Sequence, residues 1–180
     1  MLHRRDAAKV AHGGGLYQVM PVGVFQPSSA GQWNWLNDFD LWRSMAREYS
    51  EEFLGAPELH GSTAPIDYDD WPFYQALTDG VSSGRVTAHW LGLGVDPLSF
   101  VCDMLVAVVI DDQWFNAVFD QIVRINAEGE VVAGGPTEAG IVGIPFTEER
   151  ITQLARESPM QPAGAALLMR AWTHRGVLLP

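Results

Sequence analysis

The chain has 180 residues, 47% of them hydrophobic, which is enough to form one well-packed domain, and we predict a single domain over residues 1–180. Its 22 acidic and 11 basic residues give a formal charge of −11. That charge argues against nucleic acid as a partner, because non-specific binding depends on neutralised phosphates. A single cysteine excludes an internal disulfide framework and fits a reducing cytoplasm.

No membrane partner is expected. The most apolar stretch, residues 98–110, contains Asp103 and is too short to span a bilayer. The N-terminal basic residues are not followed by an apolar stretch of signal-peptide length. We therefore expect a cytoplasmic location.

In the first half of the chain, strands are predicted at residues 2–5 and 14–20, separated by a glycine-rich turn. A helix is predicted next, with Asn37 or Asp38 as its N-cap and Phe53 near its end. Its apolar positions recur about every four residues, at Leu41, Met45, Tyr49 and Phe53. The glutamates of this helix are expected beside that stripe, and a loop is expected to follow.

The second half alternates between strand and helix patterns. Strands are predicted at residues 85–93, 98–110, 130–133 and 140–145. Helices are predicted at residues 71–79, 112–124, 147–156 and 162–175, the third with Thr147 as its N-cap. This alternation predicts an α/β fold, although periodicity alone does not give the strand order.

Three carboxylates stand out on the helix before residue 54. Glu48, Glu51 and Glu52 are spaced i, i+3 and i+4, so they project from one side of the helix. Hard divalent cations such as Mg²⁺ or Mn²⁺ prefer oxygen ligands in such an arrangement. The alternative interpretation is a solvated acidic face.

The sequence Arg47-Glu48-x-x-Glu51-Glu52 resembles the core of the Nudix box. That pattern reads Gly, five residues, Glu, seven residues, then Arg-Glu-U-x-Glu-Glu-x-Gly-U, with U aliphatic. Three other segments resemble family landmarks in the family's order: residues 2–5, 14–23 and 143–149.

The box is incomplete. Counting back from Arg47, the family's Gly falls on Trp33 and its first Glu on Phe39, although Asp38 and Asp40 flank the second position. The loop before the helix is also longer than usual. The chain begins after the strand that normally opens a Nudix domain, so we expect a truncated start, a missing edge strand, or one supplied by a partner chain.

The resemblance implies a Nudix-like α/β/α sandwich with a mixed sheet, and hydrolysis of a nucleoside diphosphate linked to another moiety. It implies that Glu48, Glu51 and Glu52 bind Mg²⁺ or Mn²⁺ and that Arg47 orients them. A further carboxylate often comes from a later loop. Glu128 is our choice for it, with Glu130 and Glu138 as the other candidates.

Substrate contacts are predicted for Arg5, which could meet a phosphate, and for aromatic residues that could stack on a flat ligand. These aromatic residues are Phe25, Trp33 and Trp35. They could equally serve only to cover the long loop, and Arg5 could be an ordinary charge at a strand end. His60 and His89 could be ligands or bases, although a lone histidine is more often an ordinary surface or core residue. His174 is expected at the end of the last helix, where a cation complements the dipole. The acidic cluster of residues 67–70 is expected to be a solvated loop or helix cap.

Two functions remain open with this pattern, and we expect the first, because the three glutamates are retained. The first is a metal-dependent hydrolase of a diphosphate-linked metabolite or nucleotide. The second is a Nudix-like protein that binds a small phosphorylated ligand without hydrolysing it, as a sensor. An enzyme of another reaction type in the same cleft is a further alternative. The expected oligomer is a homodimer.

Overall fold

A computed structural model of the chain describes residues 1–8, 13–58, 63–119, 129–132, 135–137 and 140–179. The strands are β1 (Leu2–Arg5), β2 (Tyr17–Val19), β3 (Val86–Val95), β4 (Cys102–Ile110), β5 (Gly129–Val132), β6 (Gly135–Thr137) and β7 (Gly140–Val142). The helices are α1 (Gln32–Asp38), α2 (Leu41–Leu54), α3 (Pro72–Ser82), α4 (Asp112–Val118), α5 (Glu148–Glu157), α6 (Pro162–Thr173) and α7 (Arg175–Leu178).

The strands form three antiparallel sheets. In the first, β1 lies between β2 and β5, so that His3 is paired with Gln18 on one side and Val131 on the other. The second sheet is the long hairpin of β3 and β4, and the third is the short hairpin of β6 and β7. The α/β class is confirmed. The finer prediction, one mixed sheet within an α/β/α sandwich, stays a prediction.

An aromatic core fixes the position of α2. Tyr49 and Phe53 on this helix pack against Phe119, with their ring centroids 5.8 and 5.4 Å from that of Phe119. Leu77 of α3 and Val86 of β3 are buried in the same cluster. Burial of these large side chains holds α2 beneath the first sheet and sets which of its faces remains for polar side chains.

Helix α2 begins later than predicted. Asp40, rather than Asn37 or Asp38, is its N-cap, and its side chain accepts a hydrogen bond from the Arg43 amide. Asp38 is unsuited to this role because its carboxylate is buried in an ion pair with Arg47. The separate helix α1, which ends at Asp38, was not predicted.

The apolar stripe of α2 was predicted in part. Tyr49 and Phe53 are buried, whereas Met45 is only partly buried. Glu52, beside this stripe, is only 3% exposed. Ser44, Arg47 and Ser50 are buried as well, because this side of α2 is covered by polar segments from other parts of the chain.

Most of the remaining described elements agree with their predictions to within a few residues at the ends, but β6 and α7 were not predicted as separate elements. Thr147 is the N-cap of α5 and accepts from the Arg150 amide. Helix α4 is seen as far as Val118, and the rest of its predicted span, from residue 120 on, lies outside the described residues. Within the described residues, none of the helices has both the length and the apolar character needed to cross a bilayer.

Candidate functional site

The segment after β2 lies directly on the glutamate-bearing side of α2. The Val22 amide donates to Oε1 of Glu52 at 3.0 Å. At the next residue, a Cβ added to Gly23 would stand 1.9 Å from Cδ of Glu48, so the backbone there passes close to that carboxylate. Glu48 and Glu52 therefore share one surface, and the backbone of residues 22–23 covers it.

The Glu52 side chain is close to a second buried titratable group. Nδ1 of His3 lies 3.7 Å from its Oε2, and His3 is completely buried. Neither ring nitrogen of His3 has a hydrogen-bond partner among the described residues. Burial, followed by the positive charge of Arg5, lowers the pKa of His3 from 6.5 to about 4, so the ring is neutral at physiological pH.

Tyr49 provides a further sign that Glu52 sits in a poorly solvated environment. Its hydroxyl is fully buried, and that burial raises the pKa of Tyr49 well above 10. The negative charge of Glu52 adds to the rise, because a second anion nearby would be repelled. Glu52 therefore belongs to the interior of the fold as well as to the candidate site.

Arg47, the residue before Glu48 on α2, is held by a buried polar network. Its Nη1 pairs with Oδ1 of Asp38 and donates to the Tyr68 hydroxyl at 2.7 Å. Its Nη2 donates to the Gln26 carbonyl at 2.7 Å and to Oγ of Ser44 at 3.4 Å. The guanidinium thus ties α2 to the long loop and to the segment before α3, and little of it is exposed.

Asp38 is the acceptor at the centre of this network. It receives the Arg47 guanidinium, the Tyr68 hydroxyl, the Ser28 amide and, at 3.1 Å, Nδ2 of Asn34. Burial alone would raise its pKa, but the hydrogen bonds from Ser28 and Tyr68, together with the charge of Arg47, lower the pKa of Asp38 below its usual value. The Nudix pattern would place its first acidic residue at position 39. In this chain the acidic residue that pairs with Arg47 is Asp38, one position earlier.

Glu51 faces a different space from Glu48 and Glu52. It lines an open pocket of about 140 Å³ between the C-terminal half of α2 and the segment before α3. The lining residues are Arg47, Ser50, Glu51, Ala56, Pro57 and Trp71. The three glutamates that the resemblance groups into one metal centre are therefore divided between two surfaces of α2.

A second, larger pocket lies on the other side of Tyr68. Its volume is about 340 Å³, and its lining residues are Asn37, Arg43, Pro65, Ile66, Asp67, Tyr68 and Asp69. The Arg43 guanidinium lies over the Tyr68 ring, 4.6 Å from its centroid, and donates to the Asn37 carbonyl. Asn37 in turn donates to the Ile66 carbonyl at 3.0 Å, which closes one wall.

The divalent-cation expectation stays a prediction. In the part of the chain that the structure describes, no three His, Cys, Asp or Glu side chains come close enough to hold a metal ion. The fourth expected ligand, Glu128, lies outside the described residues, as does Glu138, and Glu130 is exposed in β5.

The other predicted binding residues are spread over the surface around the site. Phe25 stacks on Phe39 with ring centroids 4.5 Å apart. Trp33 and Trp35 are 44% and 62% exposed and line neither pocket, and Arg5 lies at the end of β1. Their roles as ligand contacts stay predictions.

Four residues important to the site were not identified from the sequence as parts of it: His3, Asp38, Tyr68 and Trp71. They come from four separate segments, so no local spacing relates them to α2. Nε2 of His89 lies 3.2 Å from Oγ1 of Thr87, and His60 lies outside the described residues.

Comparison with models of known protein families, with curated proteins and with solved structures found no match to this chain.

Proposed function

We propose that the chain is a Nudix-like domain that binds a small phosphorylated molecule without hydrolysing it. The supporting observation is the set of contacts made by the residues that resemble the Nudix box. Arg47 is committed to Asp38 and Tyr68, and Glu52 is buried against the Val22 amide and His3. Residues that would orient or form a metal centre in a hydrolase thus contribute here to the internal structure of the loop and helix.

The larger pocket is the proposed ligand site. Its volume of about 340 Å³ falls in the range of small-molecule sites, about 300–1,000 Å³. Arg43 supplies the cation for a phosphate group, and its planar guanidinium has five N–H donors, more than its bonds to Asn37 and Tyr74 occupy. The carboxylates of Asp67 and Asp69 are acceptors suited to sugar hydroxyl groups. A nucleotide or a sugar phosphate combines both features.

Net charge is compatible with this ligand class. The chain carries −11, so a phosphorylated molecule gains no long-range attraction and must be recognised by local contacts. The stacking of Arg43 on Tyr68 limits the conformations of the side chain and lowers the entropy lost on binding.

Titration calorimetry tests this proposal, with ADP, ADP-ribose and ribose 5-phosphate as the probes and with metal ions chelated. Wild-type protein is expected to bind at least one probe, and Arg43→Gln to weaken that binding at least about tenfold, as loss of a charge-assisted phosphate contact does. Arg85→Gln is the matched control, because Arg85 is exposed and lines neither pocket. Failure of all three probes, or equal weakening by both variants, would contradict the proposal.

The second candidate is the metal-dependent hydrolase of a diphosphate-linked metabolite or nucleotide. One observation favours it: the segment that resembles the family's loop lies on Glu48 and Glu52, as the resemblance implies. A hydrolase of this kind requires that a bound Mg²⁺ or Mn²⁺ ion brings Glu51 together with Glu48 and Glu52.

Phosphate or nucleoside monophosphate release, measured with either ion, tests the hydrolase. Turnover that is lost in Glu51→Gln and retained in Glu58→Gln, an exposed glutamate just beyond α2, would establish it and displace the binding-only proposal. Another reaction type in the same cleft would give product without phosphate release.

The proposal includes the remaining features that the Nudix resemblance implies. These are an α/β/α sandwich and a cytoplasmic location, where nucleotides and sugar phosphates are abundant. Arg5, Phe25, Trp33 and Trp35 are the proposed secondary contacts for parts of the ligand that extend from the pocket.

A further inference from the structure

The β3–β4 hairpin has two faces of different environment. The strands are paired from Val86 opposite Ile110 to Val95 opposite Cys102, with an irregularity between Trp90 and Gly92. Side chains that are directly opposite in an antiparallel pair share a face. On one face, Leu91 and Leu105 are buried against α6 and α7, in a cluster with Ala171 and Leu178.

The opposite face is covered at only one end. Near the start of β3, Val86 is buried in the aromatic core, with Val108 and Ile110 packed against it. Further along, this face carries Trp90, Leu93 and Val95 from β3, paired with Val106, Met104 and Cys102 from β4. We call Trp90, Leu93, Val95, Met104 and Val106 the hairpin face. Its three β3 side chains are 56% to 61% exposed.

The turn of the hairpin extends this apolar surface. Leu98, Phe100 and Val101 are 90%, 80% and 51% exposed. With the three β3 side chains they present roughly 700 Å² of apolar surface, from the usual areas of such side chains. The largest apolar patch on a typical monomer is about 300–600 Å², and a standard interface buries about 800 Å² on each partner. The surface is thus close to the area that each partner of a standard interface buries.

The charge of this surface indicates its partner. The hairpin face has no ionisable side chain, and neither do the three residues of the turn. A basic protein would be recognised through carboxylates, which the face lacks. Two copies of a chain with charge −11 repel each other over most orientations. At this surface the five residues of the hairpin face bring no carboxylate into the contact. The nearest carboxylates of the hairpin are Asp96 in the turn and Asp103, which is paired with Gly94 on the other face.

We propose that the hairpin face packs on the same face of a second copy of this chain, across a two-fold axis. An isologous contact needs one patch that is complementary to itself, and an uncharged strand face satisfies this requirement. A two-stranded hairpin is marginally stable with a face in water, and sheet-on-sheet packing covers that face. This interface is independent of the ligand pocket, because it shares no residue with it.

The test measures the mass of the full chain in solution over a range of concentrations, by light scattering after size exclusion and by sedimentation. Wild-type protein is expected to be a dimer at micromolar concentration. Leu93→Asp places a charge in the centre of the interface, twice in each dimer, and is expected to raise the dissociation constant at least about hundredfold. Since Leu93 is 61% exposed, the monomer is expected to keep its fold, which circular dichroism and thermal unfolding verify.

The matched control is Leu36→Asp in α1, where the side chain is fully exposed within another apolar patch, beside Trp35 and Phe39. This variant is expected to remain dimeric. A monomeric wild type at high micromolar concentration would overturn the proposal. So would a dimer that persists in Leu93→Asp, or one that Leu36→Asp alone dissociates.

Cys102 provides a second measurement that does not depend on a variant. It is the only cysteine of the chain, lies exposed at the end of the hairpin face and is paired with Val95. Alkylation of its thiol is expected to slow as the protein concentration rises through the dimerisation range. A rate that is independent of concentration in a dimeric sample would place the interface elsewhere.

Discussion

Replacing Asp38 by Asn is expected to lower the free energy of unfolding by about 3–5 kcal/mol, the cost of breaking a buried ion pair from one side. Asp38 is completely buried and accepts from Arg47, Tyr68, Ser28 and Asn34. An asparagine side chain at this position keeps one acceptor oxygen but lacks the negative charge. Its NH₂ group would face the neighbouring donor groups instead of accepting hydrogen bonds from them. Arg47, only 5% exposed, is then left as a buried cation without its counter-ion.

Urea unfolding followed by tryptophan fluorescence measures this change. With a slope of about 2 kcal/mol per M, the loss corresponds to a fall of about 2 M in the unfolding midpoint. Asp69→Asn is the matched control, because Asp69 is exposed and is expected to stay within about 0.5 kcal/mol of wild type. A loss of less than about 1 kcal/mol for Asp38→Asn would refute the view that the Asp38–Arg47 pair holds the loop on α2.

Two further predictions concern stability. The pKa of His3 is lowered from 6.5 to about 4 in the folded protein, so the unfolded chain binds more protons between these two pH values. The free energy of unfolding should therefore rise by up to about 3 kcal/mol from pH 4 to pH 6.5. An NMR titration in which the His3 imidazole of the folded protein titrates near 6.5 would contradict this prediction. Gly55 ends α2 in the left-handed region, with φ of 68°, so Gly55→Ala should cost about 1 kcal/mol in urea unfolding. Gly143→Ala, where an added Cβ meets no atom within 4 Å, should be neutral; equal costs at both positions would refute the backbone argument.

Local patterns were sufficient to predict most of the elements. The capping residue Thr147 and the proline in the first turn of α3 act within a few residues, and both helices occur where they were predicted. The start of α2 was missed because Asp38 and Asp40 are equally good caps by local criteria. Only the tertiary contact with Arg47 decides between them.

The sequence predicted only those parts of the candidate site whose residues are close together in the chain. Glu48, Glu51 and Glu52 are correctly placed on one helix, but the surface that each faces depends on distant segments. Residues 22–23 cover two of them and Trp71 lies near the third. Helical spacing sets the angle between side chains and carries no information about what packs against them. The divided arrangement of the glutamates was therefore out of reach of sequence patterns.

The contacts of Tyr17 have a consequence for how the protein is made. Its amide donates to the Pro159 carbonyl at 2.8 Å, and its carbonyl accepts from the Gln161 amide at 2.9 Å. Strand β2 therefore obtains its outer neighbour from residues that the ribosome adds more than 140 positions later. A nascent chain that stalls before residue 159 exposes an open strand edge, which makes arrested synthesis a point of vulnerability to aggregation.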